Sequence, residues 1–440
     1  MPAVRQGGFQ LQKRRWLVAT LFLAPALLVL GALVVYPAFD TIRLSLYDRF
    51  GDEFVGFDNY RRMFRLDRIR TALRNSLIWV AVFPFFVTTV GLALAVLSEK
   101  IKWRSAFRLI LFIPAAIAVL SSGIIWRFMY DANPDTGLLN ALANVPVAIF
   151  NPEGDYPGAA ASYDGLIQEE PGGAIAQVVQ VGPDGGVATL GVLRLTEAAL
   201  PAEATEASTP SPAGSGTITG VVWRDTTPGD NIKGVIDPTE KGIPGVTVEI
   251  IDPAGTTVEK VRSAPDGSFE TSGLDPGTYR VEIPESTFRE AWGGINWLGE
   301  DLITISAMIA GIWIWGGFAL LVIAAGLASL PQDVLEAARV DGATEWQVFR
   351  RVTVPLLKPI ITVVFIALTI NALKMFDLII GIAPGSVQDD ANVIALEMWR
   401  TAFTGLGDRG MGSAIAVFLF LMILPILAFN IRRFRLEGET

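Results

Sequence analysis

Cysteine and histidine are both absent from these 440 residues. Without cysteine there is no disulfide, thiolate nucleophile or thiolate metal site. Without histidine there is no imidazole general acid–base and no imidazole metal ligand, which weakens most hydrolase readings. Charge is also scarce: 18% of residues are Asp, Glu, Lys or Arg, against roughly a quarter in soluble domains. No G-x-x-x-x-G-K-[ST] run occurs, so the chain has no phosphate-cradling loop of the ATPase type. Nothing in the charge pattern suggests nucleic-acid binding.

What replaces charge is apolar sequence. Hydrophobic residues make up 51% of the chain and mean hydropathy is +0.45. They gather in runs of about 20, enough to cross a ~30 Å hydrocarbon layer as helix. Six such runs are expected to span: 16–36, 77–97, 109–129, 302–328, 360–382 and 411–431. The first follows Lys13-Arg14-Arg15, but it is too long for a signal-peptide core and shows no clear cleavage site, so it is read as a retained helix. Six spans place both termini on one side. Lys and Arg favour that side as cytoplasmic, through Lys100, Lys102, Arg104, Arg339, Arg350, Arg351 and the tail arginines. The arginines between 61 and 74 run against the trend and are read as one face of an interfacial helix.

The net charge of −9 conceals a division. Acids concentrate between the third and fourth runs, at about 131–301, a stretch expected to be extracytoplasmic. Residues 151–216 read as an irregular segment with weak strand patterns at Ala176–Val181 and Val187–Leu195, closing on a flexible linker at 201–216 that has no aromatic or large aliphatic residue. Residues 217–284 change to short strands of period two, punctuated by Pro253-Ala254-Gly255, Pro265-Asp266-Gly267 and Asp275-Pro276-Gly277, the pattern of a small β-sandwich.

The segment between the fourth and fifth runs carries the most specific motif: Leu335-Glu336-Ala337-Ala338-Arg339-Val340-Asp341-Gly342-Ala343-Thr344-Glu345-Trp346-Gln347-Val348-Phe349, followed by Val354-Pro355. It reads as a helix, a glycine break at Gly342, and a second helix ending at Pro355. Small Ala337 and Ala338 would let another surface approach. This segment resembles the EAA loop of type I ABC-importer permeases, with Val354-Pro355 in place of the usual Leu-Pro. The likeness extends to Leu23-Ala24-Pro25, Tyr36-Pro37, Phe54–Tyr60, Phe107–Pro114, Gly137–Asn140 and Phe376-Asp377, which are similar to the sugar-permease branch. The Gly-Gly-Pro run of that branch is absent; Ile382-Ala383-Pro384-Gly385 stands there. Residues 217–284 resemble the B-type repeats of Gram-positive surface adhesins, through Val222–Asp225, Asp237–Val246, Asp266–Phe269 and Gly277–Val281.

The resemblance implies an all-α polytopic membrane protein of the type I importer permease fold, with a β-sandwich inserted in an outer loop. Residues 1–150 and 292–440 form the permease, with its loop at 329–358. It implies a multi-pass subunit of a bacterial cell membrane that moves a carbohydrate, such as an α-glucoside, maltose or trehalose, by alternating access. Its partners would be a second permease, two copies of a cytoplasmic ATPase, a solute-binding protein and lipid. No cofactor is expected in the chain, ATP and Mg belonging to the ATPase. Glu336, Ala337, Ala338, Asp341, Gly342, Ala343 and Phe349 would couple to the ATPase, with Asp341 capping or bracing the turn. Asn371, Lys374 and Asp377, at near-helical spacing in the fifth run, would face substrate, or else Lys374 and Asp377 would neutralise each other. Trp313 and Trp315 would be belt or pathway residues. The adhesin repeats can hold Ca²⁺, for which Asp225, Asp230, Asn231, Asp237 and Glu240 supply oxygens. Lys233 stands where a carboxylate is expected, so the loop is read as plain and solvated. An alternative function is a membrane-anchored adhesin or sensor working through its β-domain.

Overall fold

The structure is a computed structural model, which describes residues 21–226 and 232–437, side chains from 426 onward excepted save that of 428. Trp16–Thr20 of the first expected span, and Asp230 and Asn231, lie outside the described residues. The chain divides into two compact units: residues up to Asp131 together with those from Asn296, and Ala132–Ile295.

The first unit is helical. In order it contains α1 (Leu21–Leu44), α2 (Asp58–Met63), α3 (Asp67–Glu99), α4 (Arg104–Ala116) and α5 (Val119–Met129). After the second unit come α7 (Ile303–Ala328), α8 (Gln332–Val340), α9 (Glu345–Lys374), α10 (Asp377–Ile382), α11 (Ile394–Phe403) and α12 (Arg409–Glu437). Helices α1, α3, α7 and α9 are each long and apolar enough to cross a membrane. Apolar residues surround α7 on every side, and its 26 residues rise about 39 Å. It packs at the centre through small residues. A Cβ on Gly91 would lie 2.5 Å from that of Ala319, and one on Gly317 would lie 2.1 Å from the Leu111 carbonyl oxygen. These glycines therefore let α3 and α4 close onto α7.

Several expected spans take a different form. The third, 109–129, is two helices bent by 99° between Ala116 and Val119. The halves pack on different partners: α4 lies against α7 at Gly317, while Gly123 of α5 meets Gly381 of α10 backbone to backbone. The fifth, 360–382, breaks at Met375–Phe376 into α9 and α10. The expectation that Pro355 ends a helix fails, and Pro37 likewise lies inside a helix. Pro37 and Pro355 are each preceded by a π-turn, at Gly31–Val35 and Phe349–Thr353. The N–H just before each proline bonds five residues back, Tyr36 to Gly31 and Val354 to Phe349. The wider turn carries the helix past the ring that cannot donate. The arginines of 61–74 do not share one helix, because the chain breaks between Met63 and Asp67. Four of the six form ion pairs instead: Arg61 with Asp58, Arg62 with Asp408 at 3.8 Å, Arg68 with Glu397 at 2.8 Å, and Arg70 with Asp67.

The second unit opens with α6 (Leu138–Phe150) and continues with β1 (Ala160–Ala161), β2 (Ile175–Val181), β3 (Gly186–Leu193), β4 (Ile218–Arg224), β5 (Thr247–Ile251), β6 (Thr257–Arg262), β7 (Ser268–Thr271) and β8 (Gly277–Ile283). Two four-stranded sheets form, in the orders β1-β3-β4-β7 and β2-β8-β5-β6. Alternate residues of both, including Val181, Leu190, Val222, Ile250, Phe269 and Val281, bury in one hydrophobic core. The 151–216 segment is thus not irregular throughout. β2 pairs antiparallel with β8 along its full length, and β3 pairs parallel with β4. The stretch 201–216 carries no regular element, yet it is pinned rather than loose. Thr205 N–H donates to Pro265, Ala207 N–H to Glu240, and Gly242 N–H back to Thr205.

Candidate functional site

Helix α8 begins after Pro331, carries Asp333 in its first turn and Arg339 in its last, and so suits its own dipole at both ends. It ends in a Schellman motif. Gly342 has φ +84°, its N–H donates to Arg339 at 3.0 Å, and Ala343 N–H donates to Ala338 at 3.1 Å. One residue later α9 opens with a capping box. Thr344 N–H donates to Gln347 Oε1 at 2.8 Å, and Gln347 N–H donates to Thr344 Oγ1 at 3.4 Å. Across the turn Arg339 Nε meets Glu345 Oε1 at 2.8 Å. Three local devices thus hold one helix–turn–helix shape within a dozen residues.

That shape turns a particular set of side chains outward. Glu336, Ala337, Asp341 and Gly342 are exposed, while Ala338 and Ala343 are half-buried. Val340 is 87% exposed and Trp346 65%, a large apolar surface for a loop. A Cβ on Gly342 would meet nothing within 4 Å. The described residues give the Asp341 carboxylate no hydrogen bond, so the brace of the turn is the Arg339–Glu345 pair instead. Phe349 is half-buried, its ring 5.4 Å from that of Trp346. Both line a groove of about 600 Å³ with Ala93, Val96 and Leu97 of α3 and Leu327 of α7. The groove joins the loop to the ends of α3 and α7.

The expected pathway trio is not gathered. Asn371 spends its amide on the Ala367 carbonyl of its own helix, at 2.9 Å. Lys374 ends α9 and Asp377 begins α10, with the break between them, and both are exposed. Among the described residues they form no ion pair with each other. Each instead sits at the helix end that suits its charge. Trp313 joins a run of rings, 5.7 Å from Trp126, which lies 5.1 Å from Tyr130, itself 5.6 Å from Trp297.

Sequence reasoning missed the network around Glu397, whose side chain is 2% exposed. Beside Arg68 it accepts from Asn392 Nδ2 at 2.8 Å and Thr401 Oγ1 at 3.2 Å. Asn75 Nδ2 donates to the Asp390 and Asn392 carbonyls, and Ile394 N–H donates to Ser76. Polar Asn75 and Ser76 at the start of an apolar run were the available sign. Two motif asparagines are also structural: Asn59 Nδ2 donates to the Ser45 and Tyr47 carbonyls, and Asn140 is buried in the second unit.

In the acidic loop of the β unit, Glu240 accepts from Thr226 and Asp237 N–H groups, and Asp225 Oδ2 accepts from Gly234 N–H. Asp225 Oδ1 and Asp237 Oδ2 are buried without a hydrogen bond. Such oxygens suit a hard cation, but among the described residues no three acidic groups converge to hold one.

Residues 274–434, which include the whole helix–turn–helix loop, match the family described as binding-protein-dependent transport system inner membrane component. The chain is a permease of this transport type. Residues 216–291 match the SdrD B-like domain. The permease is 26% identical to the alpha-glucoside transport system permease protein AglF of Rhizobium meliloti, over 94% of this chain and 81% of that one. It is 25% identical to the osmoprotective compounds uptake permease protein GgtC of Synechocystis, over 95% and 99%. Over 32% of its length it is 38% identical to the trehalose/maltose transport system permease protein MalF of Thermococcus litoralis, covering 48% of that protein. In fold it is similar to a chain of a bacterial ABC transporter that imports the acidic polysaccharide alginate, with TM-score 0.56 and 16% identity over 97% of this chain and 98% of that one.

Proposed function

We propose that this permease carries a carbohydrate, an oligosaccharide of the α-glucoside, maltose or trehalose type, through the membrane of an ATP-driven importer by alternating access. The observation that carries the reading is the loop at 332–349: a rigid helix–turn–helix presenting exposed Glu336, Val340 and Trp346, with a groove that links it to α3 and α7. The relatives named for alpha-glucoside and trehalose/maltose transport support the cargo class.

In this reading the bundle has six spans, with α4 and α5 together counted as one. The termini and the loop are cytoplasmic, and the two-sheet unit is an extracytoplasmic β-sandwich. The working complex holds a second permease, two ATPase subunits that bind ATP and Mg, and a solute-binding protein. This chain carries no cofactor and hydrolyses nothing. Glu336, Ala337, Ala338, Asp341, Gly342, Ala343 and Phe349 form the coupling surface. ATP-driven closure of the ATPases moves that surface as a rigid body and rocks the spans. Asn371, Lys374 and Asp377, near the α9–α10 break, remain the polar groups available to a sugar in transit.

The test is uptake of radiolabelled maltose, trehalose and an α-glucoside by the reconstituted importer. Glu336→Lys abolishes uptake while the complex still inserts in the membrane. Uptake at the wild-type rate in that variant would remove the coupling assignment. Failure of all three sugars, with another solute transported, would remove the cargo assignment alone.

A further inference from the structure

Helix α6 is built inside out. Leu138, Leu142, Val145 and Ile149 fall within about 60° of one another at 100° per residue. They are 49%, 61%, 55% and 69% exposed. The one buried side chain is polar Asn140, on the opposite face. The helix contains no charged residue. At 13 residues it measures about 20 Å, too short to cross a ~30 Å hydrocarbon layer.

Asn140 fixes where this helix stands. Its Nδ2 donates to the Ala132 carbonyl at 3.0 Å and the Ile295 carbonyl at 2.9 Å, and its Oδ1 accepts from Ile295 N–H at 2.9 Å. Ala132 and Ile295 are the first and last residues of the second unit. The helix is therefore tied to the neck through which the chain leaves and rejoins the spanning part. It begins nine residues after α5 ends at Met129.

We propose that α6 is an interfacial anchor: its Leu138–Ile149 stripe lies in the lipid of the leaflet on the insert's side. An apolar face at the neck of a membrane-spanning chain meets acyl chains before any other apolar partner, and a helix without cations binds there by burial rather than by attraction to anionic headgroups. This inference rests on the spanning reading of the helical unit.

Because the chain has no cysteine, single nitroxide labels test it without background. Leu142→Cys and Ile149→Cys report the stripe. Leu28→Cys, on the exposed face of α1, is the lipid control, and Val258→Cys on β6 is the water control. The whole importer is reconstituted in phosphatidylcholine nanodiscs. Collision with oxygen, which concentrates in lipid, is compared with collision with a water-soluble nickel chelate. The expected result is that labels at 142 and 149 follow the label at 28, with loss of nickel collision and gain of oxygen collision. That result is unchanged when phosphatidylglycerol is added. Nickel access at 142 and 149 equal to that at 258 overturns the proposal. Loss of access to both reagents also overturns it, because a protein partner then covers the stripe. Nickel access at 28 refutes the spanning reading itself.

Discussion

Substitution of Gly342 separates the shape of the 332–349 loop from its surface. The residue sits at φ +84°, and a Cβ there would touch nothing within 4 Å. Alanine is therefore penalised by backbone conformation alone, about 1–2 kcal/mol for an L-residue in the left-handed region, or roughly 5- to 30-fold in the population of the native turn. Asparagine tolerates that region and costs less. Proline cannot reach it at all. It removes the N–H that donates to Arg339, and its fixed φ also denies the Ala343–Ala338 bond; the two hydrogen bonds alone represent about 2 kcal/mol. Uptake and substrate-stimulated ATPase activity, measured on the reconstituted complex, should fall in the order Gly, Asn, Ala, Pro. The proline variant should abolish uptake while membrane insertion stays normal. Equal loss in Asn, Ala and Pro would refute the conformational argument, since only a collision of any Cβ with the docked partner explains it. Full activity in the proline variant would refute the coupling role.

Other outcomes follow from the same structure. Thr344→Ala removes the capping box and should weaken the start of α9 by about 1 kcal/mol, read as increased proteolysis of the loop with insertion unchanged. Excising 217–284 strips β2 and β3 of their partners β8 and β4, so the remaining insert should be degraded. Excising 153–290 cuts where the chain enters and leaves together, at the Gly154–Arg289 hydrogen bond; it should leave uptake measurable, and its abolition would show that the insert takes part in transport. In the turn after β6, the Ser268 hydroxyl and N–H hold the Asp266 carboxyl below its ordinary value. A depressed folded pKa gives stability that is present above about pH 4 and lost as pH falls through the folded value. Thermal melting of the β unit should show a smaller acid-induced drop in Ser268→Ala.

The sequence was sufficient wherever a local rule had no competitor. Uninterrupted apolar runs over α3 and α7 specify spans, because burying an unsatisfied backbone in lipid costs more than any propensity. Gly342 and the Thr344-x-x-Gln347 spacing specify the helix–turn–helix loop, because caps and turns depend on neighbours within five residues. Strands of period two between glycine turns specify the later part of the β unit. What tertiary structure decided involves partners far along the chain. The 99° bend of the third run, the break at Met375 and the fate of Asn371, Lys374 and Asp377 depend on which helix each half packs against. The membership of 175–193 in the sheets depends on strands that arrive dozens of residues later. Pro37 and Pro355 each lie within a helix just after a π-turn. Hydrophobic pattern and capping are properties of a few consecutive residues, and so are written in the sequence. Bends, sheet partners and ion pairs such as Arg68–Glu397 are set by close packing between distant segments, and only the folded chain brings those segments together.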